Sequence, residues 1–285
     1  MFRRLVTLNI ALLIAFSLSS CQEGSSLDIE EMKVSGIHPD SLIQWYLVEG
    51  AWNYHYLTPE YADWVQRGIK EDSSIALFWK AAALPFWKTD RTDRALAYYD
   101  RAVELEPNKY LGRRAFLKCI YAKDYKGTIQ DVDAFTRQYG EDYENDHSLQ
   151  FYKALAQLQL GLFQESYATL KTNMDFERSQ YGEISIHFLD YFYLGVVHYE
   201  LKEYEAAIKA FDKVFEEYDD FSDAQFYKSL CLSKLDKMNE AQELMEEGRE
   251  NYLKGYTFNE DSSIYVRYPY QIDWEWDICM DLLIK

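Results

Sequence analysis

The residues that could carry catalysis or bind a metal are few in this sequence. The five histidines form no HExxH motif, and no two of them are spaced as metal ligands on one helix. The sequence contains neither a GxSxG nucleophile motif nor a glycine-rich phosphate loop. Acidic residues are numerous but scattered over the predicted solvent faces, so no pair stands out as the two carboxylates of a glycosidase. We therefore expect no catalytic residues, no bound metal, no cofactor and no enzymatic activity.

Three of the four cysteines are expected to lie in the folded part of the chain. Cys119 and Cys231 stand within apolar stretches of predicted helices, which is typical of buried core thiols. No CxxC pair is present, so the cysteines do not indicate a metal site. A disulfide between Cys231 and Cys279 would form only if the C-terminal segment folds back onto the last helices in an oxidising compartment.

The first 20 residues have the pattern of a signal peptide. A short basic region precedes the mostly apolar residues 5–16, a stretch too short to span a bilayer as a helix. The sequence Leu-Ser-Ser-Cys that ends at Cys21 resembles a bacterial lipobox, whose cysteine becomes the first mature residue and carries the lipid. An ordinary signal peptide with an incidental cysteine is the alternative. We predict a signal peptide over 1–20, lipidation at Cys21 and a flexible tether over 21–40.

The lipobox resemblance implies a location in the bacterial cell envelope. Acyl chains on Cys21 would hold the protein to a membrane, most often the outer membrane, and each buried methylene contributes about 0.8 kcal/mol. The side of that membrane on which the protein lies stays open. The net charge of −18 gives a surface that repels nucleic acid phosphates and anionic lipid. We therefore expect membrane contact through the lipid anchor and no nucleic acid partner.

A stretch of two amphipathic helices, from Leu189 to Tyr218, organises the middle of the sequence. Apolar residues recur every three to four positions on either side of Lys202. The small residues Gly195 and Ala207 would let the two helices cross closely, while aromatic residues fill the seams with neighbouring helices. Six residues match the signature positions of a tetratricopeptide repeat (TPR) by type and spacing: Tyr191, Leu194, Gly195, Tyr204, Ala207 and Phe211.

The stretch thus resembles the TPR family, which implies an all-α fold, a right-handed superhelical solenoid of stacked helical pairs. The scarcity of Gly and Pro, 12 and 5 in 285 residues, also disfavours an all-β chain. The repeat register predicts about six helical pairs over 41–254. In the first pair, a helix is expected over Ser41–Tyr56, followed by Thr58 as the N-cap and Pro59 as the first residue of the second helix. Two insertions are expected, a polar loop over 138–147 and about seven extra residues around 173–186.

The last residues, 255–285, depart from the repeat pattern and are rich in aromatic side chains. Apolar and acidic residues alternate from Ile272 to Ile278, which predicts an extended segment with one face buried. We interpret the segment as an aromatic capping tail that covers the open end of the solenoid. The alternative is a self-ligand that lies in the concave groove.

In TPR proteins the first helix of each pair lines the groove, so the resemblance also indicates candidate binding residues. The cations lie in the N-terminal half of the predicted groove and the aromatic residues mainly in the C-terminal half. The alternative is that the phenylalanines only pack between adjacent helices. The asparagines of the carboxylate clamp found in some family members are missing here. The candidates are Lys80, Trp87, Arg113, Phe151, Phe192, Tyr199 and Phe226.

These observations predict a membrane-anchored scaffold that binds another envelope protein or a peptide through its solenoid groove. That function follows from the family resemblance, because no site in the sequence identifies the partner. A lipoprotein that binds a glycan or another small ligand on aromatic platforms is the alternative.

Overall fold

The computed structural model describes residues 38–258 and 266–284. Within these residues the chain is almost entirely helical, with 13 α-helices and one short β-hairpin, which confirms the all-α prediction. The chain divides into two compact units between Asp72 and Ser73. The predicted signal peptide, the lipidated Cys21 and most of the predicted tether lie outside the described residues.

The first unit contains one helical pair whose first helix is interrupted. Its elements are α1 (Pro39–Ile43), a π-helix (Gln44–Val48), a 3₁₀-helix (Ala51–Asn53) and α2 (Pro59–Glu71). The predicted continuous helix from Ser41 to Tyr56 is therefore wrong. The backbone leaves the helix at Gly50, where a Cβ atom would lie only 2.6 Å from the Trp64 ring. The predicted cap is confirmed, because the backbone N–H of Tyr61 donates to the Thr58 hydroxyl at 3.3 Å.

The second unit contains five helical pairs, each followed directly by the next. The pairs are α3 (Ala76–Trp87) with α4 (Thr92–Leu105), α5 (Pro107–Leu117) with α6 (Tyr125–Tyr139), α7 (Leu149–Gln159) with α8 (Phe163–Tyr181), α9 (Phe188–Glu200) with α10 (Tyr204–Phe215), and α11 (Ser222–Lys234) with α12 (Met238–Leu253). Each helix contacts its partner, and the second helix of each of the first four pairs contacts the first helix of the next pair. One continuous hydrophobic core therefore runs through all five pairs.

The two expected insertions take regular structure. The polar segment before α7 contains β1 (Tyr143–Glu144) and β2 (His147–Ser148), which pair as an antiparallel hairpin. The extra residues before α9 lengthen α8 to 19 residues and add a short 3₁₀-helix, Glu183–Ser185. The first insertion therefore lies in the link before α7, whereas the second extends α8 and the link before α9.

The last described segment, residues 266–284, is called the tail below. It turns at Pro269 and Tyr270, where Tyr270 has a φ of 61°, runs without regular structure to Glu275 and ends in α13 (Trp276–Ile284), so the predicted extended stretch through Ile278 is wrong. Cys279 and Leu283 are buried four positions apart, and α13 packs on α11 and α12. A helical spacing of apolar residues thus outweighs the alternation that precedes it.

The cysteines of the folded part are buried and free. Cys119, Cys231 and Cys279 form no disulfide, so the bridge considered between the last two is not formed. The burial of Cys119 and Cys231 confirms their prediction as core thiols. Within residues 38–258 and 266–284, no helix has both the length and the apolar character needed to cross a membrane.

Helices α9 and α10 cross closely at Gly195. A Cβ atom at Gly195 would lie 2.5 Å from the ring of Phe211, which is itself fully buried. Because real Cβ atoms do not approach so closely, any side chain here would force the two helices apart.

We expect Gly195→Ala to lower the free energy of unfolding by about 1–3 kcal/mol, although alanine is the better helix former. Gly112→Ala is the matched control, because its added methyl would meet only the side chain of Leu149, at 3.1 Å. Urea unfolding followed by circular dichroism measures both. Equal unfolding free energies for Gly195→Ala and the control would show that the crossing is not tightly packed.

Candidate functional site

A cavity of about 700 Å³ opens on the face formed by the first helices of the second unit. Residues of α3 and α5 form one side, and the hairpin and the start of α9 form another. The tail closes part of it with Tyr268, and Phe258 adds to the same wall. The cavity therefore joins the N-terminal repeats to the C-terminal segment, and it is called the groove cavity below.

Three cationic side chains line the groove cavity: Lys80, Lys88 and Arg113. The Arg113 guanidinium contacts the carboxylate of Glu144 and donates to the side chain of Asn145 at 2.9 Å. Burial and the nearby Arg113 charge lower the pKa of Lys80. Lys80 thus lies in a partly desolvated position near a like charge, where an anionic ligand would stabilise its charged form.

A buried hydroxyl also lies in the wall of the groove cavity. Tyr99 of α4 is only 2% exposed, and no described residue forms a hydrogen bond with its hydroxyl. Burial raises its pKa, so the group stays a neutral donor at ordinary pH. An unpaired buried hydroxyl costs about 1–3 kcal/mol, which a ligand with an acceptor oxygen in the groove cavity would recover.

Two histidines complete the wall between the hairpin and α9. The ring of His147 stacks on Phe151 at a centroid distance of 4.0 Å and meets His187 edge-on at 4.8 Å. Burial, followed by the nearby His187, lowers the pKa of His147 to about 3, and burial lowers that of His187. Both rings are therefore neutral at physiological pH and act as packing surfaces. No cluster of three or more potential metal ligands occurs within residues 38–258 and 266–284.

The structure divides the residues predicted for the groove into two groups. Lys80, Trp87 and Arg113 all line the groove cavity, although Trp87 is 4% exposed and offers little surface to a ligand.

The predicted aromatic residues of the C-terminal half lie elsewhere. Phe151 and Phe192 are buried in the core, so the expectation that they face a ligand is corrected by their packing between helices. Phe226 is also buried, and its ring contacts Trp274 of the tail. Phe192, for example, lies against Phe211, Phe221 and Tyr227. Tyr199 is half-buried and contacts the rings of Tyr204 and Tyr227.

The tail lies across the first helices α9 and α11. The hydroxyl of Tyr193 donates to the Pro269 carbonyl at 2.8 Å, and the hydroxyl of Tyr227 donates to the Tyr270 carbonyl at 3.1 Å. The Tyr270 hydroxyl in turn donates to Glu200 at 2.9 Å. The C-terminal half of the first-helix face is therefore occupied, while the groove cavity in the N-terminal half is open.

A buried carboxylate fixes the tail at the start of α11. Asp223 is 1% exposed and accepts the backbone N–H of Ile272 at 2.7 Å and the hydroxyl of Thr257 at 2.6 Å. Burial raises its pKa to about 6, against the opposing effect of these hydrogen bonds. Asp223 thus holds two parts of the C-terminal segment, at Thr257 and at Ile272, to the start of α11.

Several residues of this face could not be identified from the repeat pattern of the sequence. Tyr99 belongs to a second helix, and the hairpin residues are contributed by an insertion, so the repeat register does not point to them. The tyrosines that hold the tail could have been found. Tyr193 and Tyr227 stand one repeat length apart, each directly after a predicted groove position.

Comparisons with known proteins agree with this architecture. Residues 188–221 match the model of the tetratricopeptide repeat. Among solved structures, the type IV pilus biogenesis factor PilW is similar, with a TM-score of 0.57 at 13% identity over 78% of this chain and 95% of that one. PilF of Pseudomonas aeruginosa gives 0.51 at 15% identity over 76% and 97%. A tetratricopeptide repeat protein from Parabacteroides merdae ATCC 43184 gives 0.50 at 13% identity over 79% and 75%. A search of curated proteins finds no match.

The fold and the matched repeat define a helical repeat scaffold with an open face. Residues 188–221 form a tetratricopeptide repeat, and the described chain is similar in fold to a solved tetratricopeptide repeat protein.

A buried acid near the groove cavity predicts how stability depends on pH. Burial, and then the Glu177 carboxylate, raise the pKa of Asp190 from 3.8 to about 8. Because the folded state binds this proton more tightly than the unfolded state, the contribution of Asp190 to stability is greatest below about pH 4 and falls as pH rises from about 4 to about 8.

We expect Asp190→Asn to be more stable than the wild type at pH 8, by an amount of order a few kcal/mol, and nearly equal to it at pH 4.5. The asparagine oxygen can still accept the N–H of His187 that Asp190 now accepts at 3.2 Å. Urea titrations across this pH range measure the difference, with the exposed Asp93→Asn as the control. A difference between Asp190→Asn and wild type that does not change with pH would contradict the account.

Proposed function

We propose that this protein is an envelope-anchored adaptor that binds an acidic segment of another protein in the groove cavity. The observation that carries the proposal is the open cavity of about 700 Å³, with cationic side chains and a buried unpaired hydroxyl in its wall. The repeat fold supports a protein or peptide partner, because stacked helical pairs form extended surfaces for such partners.

The charge distribution supports an acidic ligand. The whole chain carries a net charge of −18, yet Lys80, Lys88 and Arg113 converge on one cavity where Asp146 is the only acidic side chain in the described lining. Concentrated cations in a partly enclosed site attract carboxylates more strongly than isolated surface lysines do. The glutamate that pairs with Arg113 keeps its guanidinium in place until a ligand carboxylate arrives.

The binding site is tested by charge reversal at Lys80. We expect Lys80→Glu to weaken binding of a fluorescent glutamate-rich peptide by at least about tenfold, which corresponds to about 1.4 kcal/mol. Lys80→Arg should retain most of the affinity because it keeps the charge. Lys209→Glu is the control, since Lys209 is exposed on α10, a second helix.

Fluorescence anisotropy at physiological salt measures all four proteins, with a glutamine-rich peptide and neutral envelope saccharides as further probes. Equal loss for Lys80→Glu and Lys209→Glu would place the peptide outside the groove cavity. Binding of a neutral saccharide that is insensitive to the charge at position 80 would favour a glycan ligand instead.

The membrane anchor is a separate part of the proposal and rests on the Leu-Ser-Ser-Cys sequence ending at Cys21. We expect Cys21→Ala to release the protein from the membrane fraction and to abolish labelling by an alkyne fatty acid, because two or more acyl chains are needed for stable anchoring. Cys231→Ala is the control, since that thiol is buried in the fold. Undiminished labelling of Cys21→Ala would contradict lipidation at this residue.

A further inference from the structure

The tail makes two kinds of contact with the face formed by the first helices. The first kind is a set of hydrogen bonds to the backbone groups of the tail. Pro269 and Tyr270 present their carbonyls to the tyrosines of α9 and α11, and Ile272 presents its N–H to Asp223. Lys123 donates to the carbonyl of Arg267 farther along. Every residue carries the carbonyl, and every residue except proline carries the N–H, so the face can hold chains of many sequences that make the turn found at Pro269 and Tyr270.

The second kind of contact is one aromatic anchor. The Trp274 ring packs edge-on against Phe226 at a centroid distance of 5.5 Å and lies near Tyr252 at 6.2 Å. The floor of this pocket is Gly248, where a Cβ atom would lie 2.7 Å from the tryptophan ring. The pocket therefore exists because position 248 carries no side chain.

The Trp274 side chain that anchors the tail has one unsatisfied hydrogen-bond donor among the described residues. The indole N–H of Trp274 is buried and has no hydrogen-bond partner among the described residues. An unpaired buried donor weakens docking of the tail. The tail is also covalently linked, so it occupies the face through its high local concentration rather than through optimal contacts.

From these contacts we infer that the face of α9 and α11 is a second peptide-binding surface, and that the tail is its built-in competitor. The partner that fits is a peptide with a tight turn, then a backbone N–H that reaches Asp223, and an aromatic side chain two residues after that N–H. This inference deepens the proposed adaptor function, which rests on the groove cavity. It adds a distinct surface whose access depends on release of the tail.

The probe is a synthetic fluorescent peptide of residues 266–275, used against the full-length chain. We expect Trp274→Ala to bind this peptide at least about tenfold more tightly than the wild type, because the weakened tail no longer competes. Ile278→Ala is the matched control, since Ile278 lies in the tail but is 55% exposed, and it should bind like the wild type. The same peptide with alanine in place of its tryptophan should lose affinity for the Trp274→Ala protein.

A milder variant guards against loss of folding. Tyr270→Phe removes only the hydroxyl that donates to Glu200, and it should raise peptide affinity by a smaller factor of about two- to fivefold. Circular dichroism confirms that each variant is folded. Equal peptide affinity in folded Trp274→Ala, Tyr270→Phe and Ile278→Ala would overturn the inference.

The groove-cavity proposal and the second-surface proposal can be contradicted independently of each other. Lys80→Glu should change binding of the 266–275 peptide by less than about twofold, because the hydrogen bonds to α9 and α11 and the Trp274 contact do not involve Lys80, and only Tyr268 of the peptide reaches the groove cavity. Loss of acidic-peptide binding with retained tail-peptide binding would reject the function of the groove cavity alone. The converse result would reject the second surface alone.

Discussion

The structure depends on one constraint: a helical pair cannot bury all of its apolar surface by itself. Each pair of the second unit shares its core with the next, so the core is continuous from α3 to α12. The pair α11–α12 has no sixth pair behind it within the described residues of this unit. The tail supplies the missing partner surface with Trp274, Cys279 and Leu283, all of them buried.

The same constraint links stability to ligand access. A segment that covers the last pair must approach it along the first helices, where the tyrosines of α9 and α11 provide hydrogen bonds to its backbone. In the described tail, α13 packs against the last pair and the residues before it lie across the first helices, while the capping and self-ligand roles stay predictions. The groove cavity stays open because the described tail reaches it only at its edge, through Tyr268.

The helical pairs could be predicted from the sequence because their signal is local. Gly195 and Phe211 lie in neighbouring helices, and their types directly reflect the close crossing. The groove was harder to predict, because the same position near the start of each first helix lines the cavity in some pairs and is buried in the core in others. In the N-terminal pairs that position holds Lys80 and Arg113, and in the later pairs it holds a phenylalanine that is buried in the core.

The path of the tail could not be predicted, because it depends on pairings between residues far apart in the chain. Nothing in the neighbourhood of Asp223 indicates that it accepts the N–H of Ile272. The acidic alternation before α13 also suggested an extended chain, whereas the buried pair Cys279 and Leu283 favours a helix. The repeats could thus be predicted from local sequence patterns, whereas the path of the tail and the structure of the insertions depend on tertiary contacts.

The docking of the tail on α11 is tested most directly by amide hydrogen exchange of Ile272 in the full-length protein. Its N–H donates to a carboxylate that is 1% exposed, so we expect exchange to be slowed at least about hundredfold relative to an unstructured peptide. Exchange of this amide at the unprotected rate, in a protein whose α9 and α11 amides remain protected, would contradict the account.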